Sequence, residues 1–274
     1  MSKQQPQTKK RSIVFFLVPH FTLLPFAGAI ETLRIANRML GYAAYEWRLA
    51  SVDGQKVYSS SGIGIEVNSS LADERRFLGG ENRPNMAIVC SGIYVEEFNN
   101  KSVNAWLREA YNRNVAVGSL CTGAHVLAQA GLLNGKRCAI HWENLPGFSE
   151  TFPQAEVYAD LYEVDGNLYT CAGGTASLDM MLNLIGQDFG EALVNRVNES
   201  VNTIATAAKE QATGLAEINT SVNHMDQMTQ QNAAMVEETS AAGQSLAEES
   251  YNLRQLLSRL KVNAQQAMGH RRAA

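Results

Sequence analysis

The sequence predicts an α/β fold, a doubly wound and mostly parallel sheet with helices on both faces, followed by a long C-terminal coiled-coil helix. Two observations carry this. Short β-branched or apolar runs alternate with helix-period segments up to about residue 190, and near Val197 the composition changes abruptly. All six prolines, all three tryptophans, all nine phenylalanines and all four cysteines precede residue 190, whereas 199–262 holds one aromatic, Tyr251, and no proline. Two kinds of structure are therefore joined.

Ser12–Val18, Trp47–Val52, Met86–Cys90 and Val115–Ser119 read as buried strands, because parallel strands covered on both faces are near-continuous apolar runs. Pro25–Met39, Val95–Tyr111 and Thr122–Ala130 repeat their apolar residues at helical spacing. Ala155–Tyr158, Tyr162–Val164 and Leu168–Cys171 are shorter strands, with Asp165-Gly166 as a hairpin turn, and a helix over Thr175–Phe189 closes the domain. The polar, basic start is a flexible tail over 1–11. Its following apolar run stops at Pro19, too short for the hydrophobic region of a secretion signal.

Beyond 197, alternating steps of four and three residues give 19 seam positions, of which 13 are apolar, so 198–262 reads as a coiled-coil helix. It would be roughly 96 Å long at about 1.5 Å per residue. Such a helix cannot bury its own seam and needs partner helices. Residues 263–274 are expected to be a disordered tail, and 12–197 to be the α/β domain.

With 18% charged residues, a net charge of −4 and no basic stripe, specific DNA binding is not expected. No run reaches the length of a membrane helix. Cys90, Cys121, Cys138 and Cys171 lack CxxC spacing, so they read as reduced thiols in a cytoplasmic protein, with no metal site and no cofactor.

The chemistry concentrates where the strand at 115–119 runs through Gly118-Ser-Leu-Cys121-Thr-Gly-Ala-His125 into a helix. Cys121 falls on a sharp strand-to-helix elbow at the carboxyl end of the sheet, where ligands of open α/β sheets collect. The helix N-terminus is expected to lower its pKa below that of a free thiol. A buried structural cysteine in such a turn would look similar. His125, one helical turn on, reads as a packing residue.

Residues 118–142, from Gly118-Ser-Leu-Cys through Cys138-Ala-Ile-His-Trp142, resemble the core of the ThiJ/PfpI, or class I glutamine amidotransferase-like, superfamily. Phe26-Ala-Gly-Ala-Ile-Glu-Thr-Leu-Arg34, Tyr45-Glu-Trp-Arg-Leu49 and Thr170-Cys-Ala-Gly-Gly-Thr175 narrow the resemblance to the sensor domain of GlxA-type regulators in the AraC family, over about 11–197. The resemblance implies a flavodoxin-like sheet. It makes Cys121 the elbow nucleophile, Glu31 an acid approaching the sulfur from the first helix, and His141 the histidine one strand further on. Gly92 and the Thr122 amide match the oxyanion-donor positions. On the residues alone, His141 beside Trp142 also reads as an ordinary strand-end histidine and Glu31 as a solvated helix residue.

Protease-like relatives place a histidine directly after the cysteine, and this chain has Thr122 there. The expected function is therefore non-catalytic sensing of a small-molecule ligand, with a cysteine-dependent hydrolase or amidase as the alternative. An oxidation sensor forming a Cys121 sulfenic acid is a third reading.

The paired helix-turn-helix motifs of that regulator subfamily do not follow. Instead, 199–262 resembles the descending cytoplasmic helix of methyl-accepting chemotaxis proteins. Ala234-Met-Val-Glu-Glu238-Thr-Ser240 fits their methylation pattern and marks Glu238 as the candidate acceptor. The chain thus reads as a fusion whose expected partners are further copies of itself, through the α/β domain or the helix, and chemoreceptor-like helices.

Overall fold

In the computed structural model, which describes the backbone of residues 10–271 and the side chains within it except 202–217, 219 and 258–271, the apolar runs lie side by side in one seven-stranded sheet. The elements in chain order are β1 (Arg11–Leu17), α1 (Leu23–Leu40), β2 (Tyr45–Ser51), β3 (Val57–Tyr58), β4 (Gly64–Ile65), β5 (Ser69–Ser70) and α2 (Leu71–Phe77). There follow β6 (Met86–Cys90), α3 (Lys101–Asn112), β7 (Ala116–Leu120), α4 (Ala124–Gln129), β8 (Arg137–Ala139), α5 (Leu145–Thr151) and β9 (Glu156–Tyr158). Last come β10 (Tyr162–Asp165), β11 (Leu168–Cys171), α6 (Ala176–Phe189) and α7 (Glu191–Arg271).

The sheet order is β10-β11-β7-β6-β1-β2-β5. Every neighbouring pair is parallel except β10 with β11, the hairpin that turns at Gly166, whose φ is +60°. This is the mostly parallel, flavodoxin-like arrangement with helices on both faces.

Side chains of a strand alternate between faces, and β1 shows how that builds two cores. Ile13, Phe15 and Leu17 join the layer of α1 and α6 with Leu33, Met180 and Leu184, while Val14, Phe16 and Val18 join Trp106, Leu107, Val126 and Leu127 from α3 and α4. Phe16 and Trp106 stack with ring centroids 5.3 Å apart.

Several elements differ from expectation for local reasons. The segment 95–111 is not one helix. A 3-10 turn covers Val95–Glu97, and α3 starts only after Asn100, whose side chain accepts the N–H groups of Ser102 and Val103 as an N-cap. α2 was not expected, although Ser70 and Asp73 form a reciprocal capping box there.

α7 is continuous from Glu191, ahead of the expected start at 198, and its backbone stays helical to Arg271, through most of the stretch expected to be a disordered tail. Val197 is fully buried, so the first turns of α7 complete the α/β core. The chain divides into two units, 1–204 and 205–274. Of the expected tails, residues 1–9 and 272–274 lie outside the described residues. Among the described residues no helix is long and apolar enough to cross a membrane.

Candidate functional site

The carboxyl ends of β1, β6, β7 and β11 converge on Cys121. β7 is wholly buried, and Cys121 directly after it takes φ +60°, a left-handed conformation that costs a residue with a side chain about 1–2 kcal/mol. A 3-10 turn over Cys121–Gly123 then leads into α4. This sharp reversal holds the thiol at the carboxyl end of the sheet, 4% exposed.

Segments distant in sequence fix its surroundings. The Thr22 hydroxyl, at the N-cap of α1, lies 3.6 Å from Cys121 Sγ. The Thr122 N–H donates to the same sulfur, and Thr122 Oγ1 donates to the Gly92 carbonyl at 2.6 Å. Gly92 is held so closely against the β1 exit loop that a β-carbon there would sit 2.3 Å from the His20 carbonyl oxygen. Gly173, at φ +93°, lies over the cysteine, where a β-carbon would fall 2.9 Å from Cys121 Cβ. Only glycine fits either place.

Burial pushes the Cys121 thiol above its ordinary range, and the hydrogen bonds from Thr22 and the Thr122 N–H only partly offset it; the negative charge of Glu143 adds to the rise. The expected lowering of the Cys121 pKa is thus corrected: desolvation outweighs the hydrogen bonds that favour the thiolate. The other thiols are driven higher still, Cys171 to about 11 and Cys138 to about 12 by burial, with Cys90 pushed well up by full burial.

The structure brings Gly92 and Thr122 to Cys121, and among the described residues no hydrogen bond joins Glu31 to it. Glu31 sits eight residues into α1, half-exposed, and its carboxylate accepts from Arg34 at 2.6 Å. Thr22, at the head of that helix, meets the sulfur instead.

His141 precedes the 3-10 turn Trp142–Asn144, with Nδ1 3.7 Å from Glu143 Oε2 and its ring tilted against Trp142. Among the described residues no hydrogen bond joins His141 to Cys121. His125 is packed edge-on against Phe152 at 4.9 Å, and burial lowers its pKa, so it is neutral at pH 7. Glu238 is exposed on α7, within the second unit.

Thr22, Gly173 and Glu143 were not expected at the site. The Gly-Gly pair after β11 and the N-cap-type threonine before α1 stand at carboxyl strand ends, and that placement was the available signal. His20 and Tyr94 also lie on this rim, both left-handed at φ +62° and +61°, with rings edge-to-face at 5.6 Å. A cavity of about 270 Å³ opens between Glu96, His125, Glu143, Asn144 and Phe148. Another, of about 290 Å³, is lined by His20, Asp53, Lys56 and Tyr58 among others. Such volumes suit small ligands. Among the described residues no three His, Cys, Asp or Glu side chains group as metal ligands.

Comparison with known proteins fits this geometry. The HTH-type transcriptional regulator GbdR of Pseudomonas aeruginosa is 36% identical over 197 residues, which cover 71% of this chain and 51% of GbdR. The chain thus spans about half the length of the curated relatives it first matches. A crystal structure of an AraC family transcriptional regulator from Pseudomonas putida superposes with a TM-score of 0.61 at 25% identity, over 70% of this chain and 99% of that one. A 72-residue stretch, 26% of this chain, is 44% identical to the methyl-accepting chemotaxis protein McpB of Pseudomonas aeruginosa, of which it covers 11%. Residues 11–187 match the DJ-1/PfpI family. The elbow cysteine, the parallel sheet around it and this match over most of the α/β unit agree, and the chain belongs to the DJ-1/PfpI family.

Proposed function

We propose that the α/β unit is a small-molecule sensor that binds its ligand at the Cys121 end without turning it over. One observation carries this reading: the thiol is buried, burial pushes its pKa up, and among the described residues its hydrogen bonds come from Thr22 and the Thr122 N–H, neither of them a base. A nucleophile needs the thiolate and a base to make it. The likeness to HTH-type regulators, whose names describe transcriptional control, supports a regulatory role. In this reading α7 carries the output, pairs with a second copy as a chemoreceptor-like helix, and offers Glu238 as a methylation acceptor. The likeness of one stretch to McpB supports that assignment.

A cysteine-dependent hydrolase or amidase is the second reading, favoured by the left-handed Cys121, whose strain resembles that of a nucleophile elbow. In it the Gly92 and Thr122 amides would stabilise an oxyanion and His141 would move to the sulfur as base. A thermal-shift screen of small metabolites, run beside amide and ester turnover assays on the native chain and Cys121→Ala, separates the two. Ligand-dependent shifts without turnover support sensing. Turnover abolished in Cys121→Ala establishes the hydrolase.

A further inference from the structure

Three of the four cysteines stand at one end of three adjacent strands. Cys90 ends β6, Cys171 ends β11, and both are register partners of Leu120, the last residue of β7, which Cys121 follows. Cys171 leans toward Cys121, for its sulfur accepts hydrogen bonds from the backbone N–H groups of Cys121 and Gly173. The chain after Cys171 then folds back over the elbow, where a β-carbon on Gly173 would lie 3.0 Å from Cys121 Sγ.

The backbone spacing fits a cross-link. Cys171 is the register partner of Leu120 on the neighbouring strand, about 4.8 Å away, Cys121 is the next residue of the chain, and its backbone N–H reaches the Cys171 sulfur. Disulfides span roughly 4.4 to 6.8 Å between α-carbons. Cys90 also lies near Cys171, but among the described residues no hydrogen bond joins Cys121 to Cys90 or Cys138, and Cys138 lies in β8, outside the main sheet.

We propose that Cys121 and Cys171 form an intramolecular disulfide when the chain meets a hydroperoxide. The small fraction of Cys121 that ionises to solvent attacks one peroxide oxygen as thiolate, the O–O bond breaks, and the leaving oxygen takes up that proton and departs as an alcohol, or as water from hydrogen peroxide; Cys121 becomes a sulfenic acid. The Cys171 sulfur then attacks the Cys121 sulfur, the S–O bond breaks, and the hydroxide leaves as water with the Cys171 proton. Two thiols are oxidised and one peroxide is reduced. Cys121 is the peroxide-reactive member because it is the most exposed of the four thiols, at 4% against 0–1% for the others, and Cys171 resolves it because proximity replaces a bimolecular encounter. The pair stands whether the site senses a ligand or hydrolyses one.

The test treats the full chain with hydrogen peroxide, blocks remaining thiols with iodoacetamide in denaturant, and maps non-reduced peptides by mass spectrometry. The expected result is a Cys121–Cys171 linked peptide that disappears on reduction. Cys171→Ser, its fold checked by circular dichroism, should lose the link and send Cys121 on to sulfinic and sulfonic acids, whereas Cys90→Ser should keep it. The native-chain map decides even if Cys171→Ser does not fold. Cys121 recovered as thiol, sulfinic acid or a disulfide to any other cysteine, with Cys171 alkylated, overturns the proposal.

Discussion

The α/β unit and α7 spend their apolar residues in opposite ways. Ile88, Leu120, Trp106 and Leu184 are fully buried in the first, while Val236 and Leu246 on the second are about two-thirds exposed at 68% and 67%. Isolated exposed apolar groups are ordinary on a protein surface, but Ile218, Val222, Met225, Val236, Leu246, Leu253 and Leu257 recur along one heptad seam. The first unit satisfies itself, whereas under the proposed assembly the seam would be half of an interface. Burial within the chain should therefore govern folding in one region, and burial between chains should govern assembly in the other.

The largest effect should come from emptying the α/β core. Trp106→Ala is expected to cost about 3–5 kcal/mol of stability in urea unfolding of the first unit, by lost burial plus a cavity. A loss below about 1 kcal/mol would show that the α3 layer repacks.

Next comes assembly. Leu246→Asp should leave the thermal unfolding of the first unit within about 0.5 kcal/mol, as surface changes do, while shrinking the sedimenting species. Residues 1–204 alone should behave as that smaller species, still folded and with less helix. Equal sedimentation per protomer for native and variant chains would show that the seam is not an assembly surface.

At the site, Cys121 should react with iodoacetamide before Cys90, Cys138 and Cys171. Because burial holds its thiol above the ordinary range, the reaction should accelerate as pH rises and keep accelerating beyond pH 9, the thiolate being the reactive form. Rates that level off near neutral pH would mean that the thiolate already predominates there.

The smallest effect is expected at Thr22. Thr22→Val removes a hydroxyl that holds the Cys121 thiol down, so the pH profile of alkylation should move upward by a fraction of a unit with little change in stability. An unmoved profile would assign the 3.6 Å contact to packing alone.

Much of this was legible in the chain, and the misses have physical causes. Met86–Cys90 and the β1 run were readable because a strand buried on both faces must be apolar throughout. The pairs β3, β4 and β5 were not, since two residues carry no period. Cys121 was visible from its own neighbours, as a strand running into small residues and a helix. Its ionisation was not, because Thr22, Glu143 and Gly173 reach it from segments that only the fold brings together. For Glu31 the resemblance named the segment, while its pairing with Arg34 one turn on could be seen only once α1 was in place.

His20, Tyr94 and Cys121 are three of the four residues with side chains that are left-handed among the described residues, and all three face the same end of the sheet. Each conformation lies about 1–2 kcal/mol above its relaxed alternative. A ligand that let one of them relax would bind more tightly by roughly tenfold for every 1.4 kcal/mol released, before making any contact of its own. Tightness of binding and movement of these loops would then be one quantity, so the ligands held most firmly are also those that change the shape of the rim most.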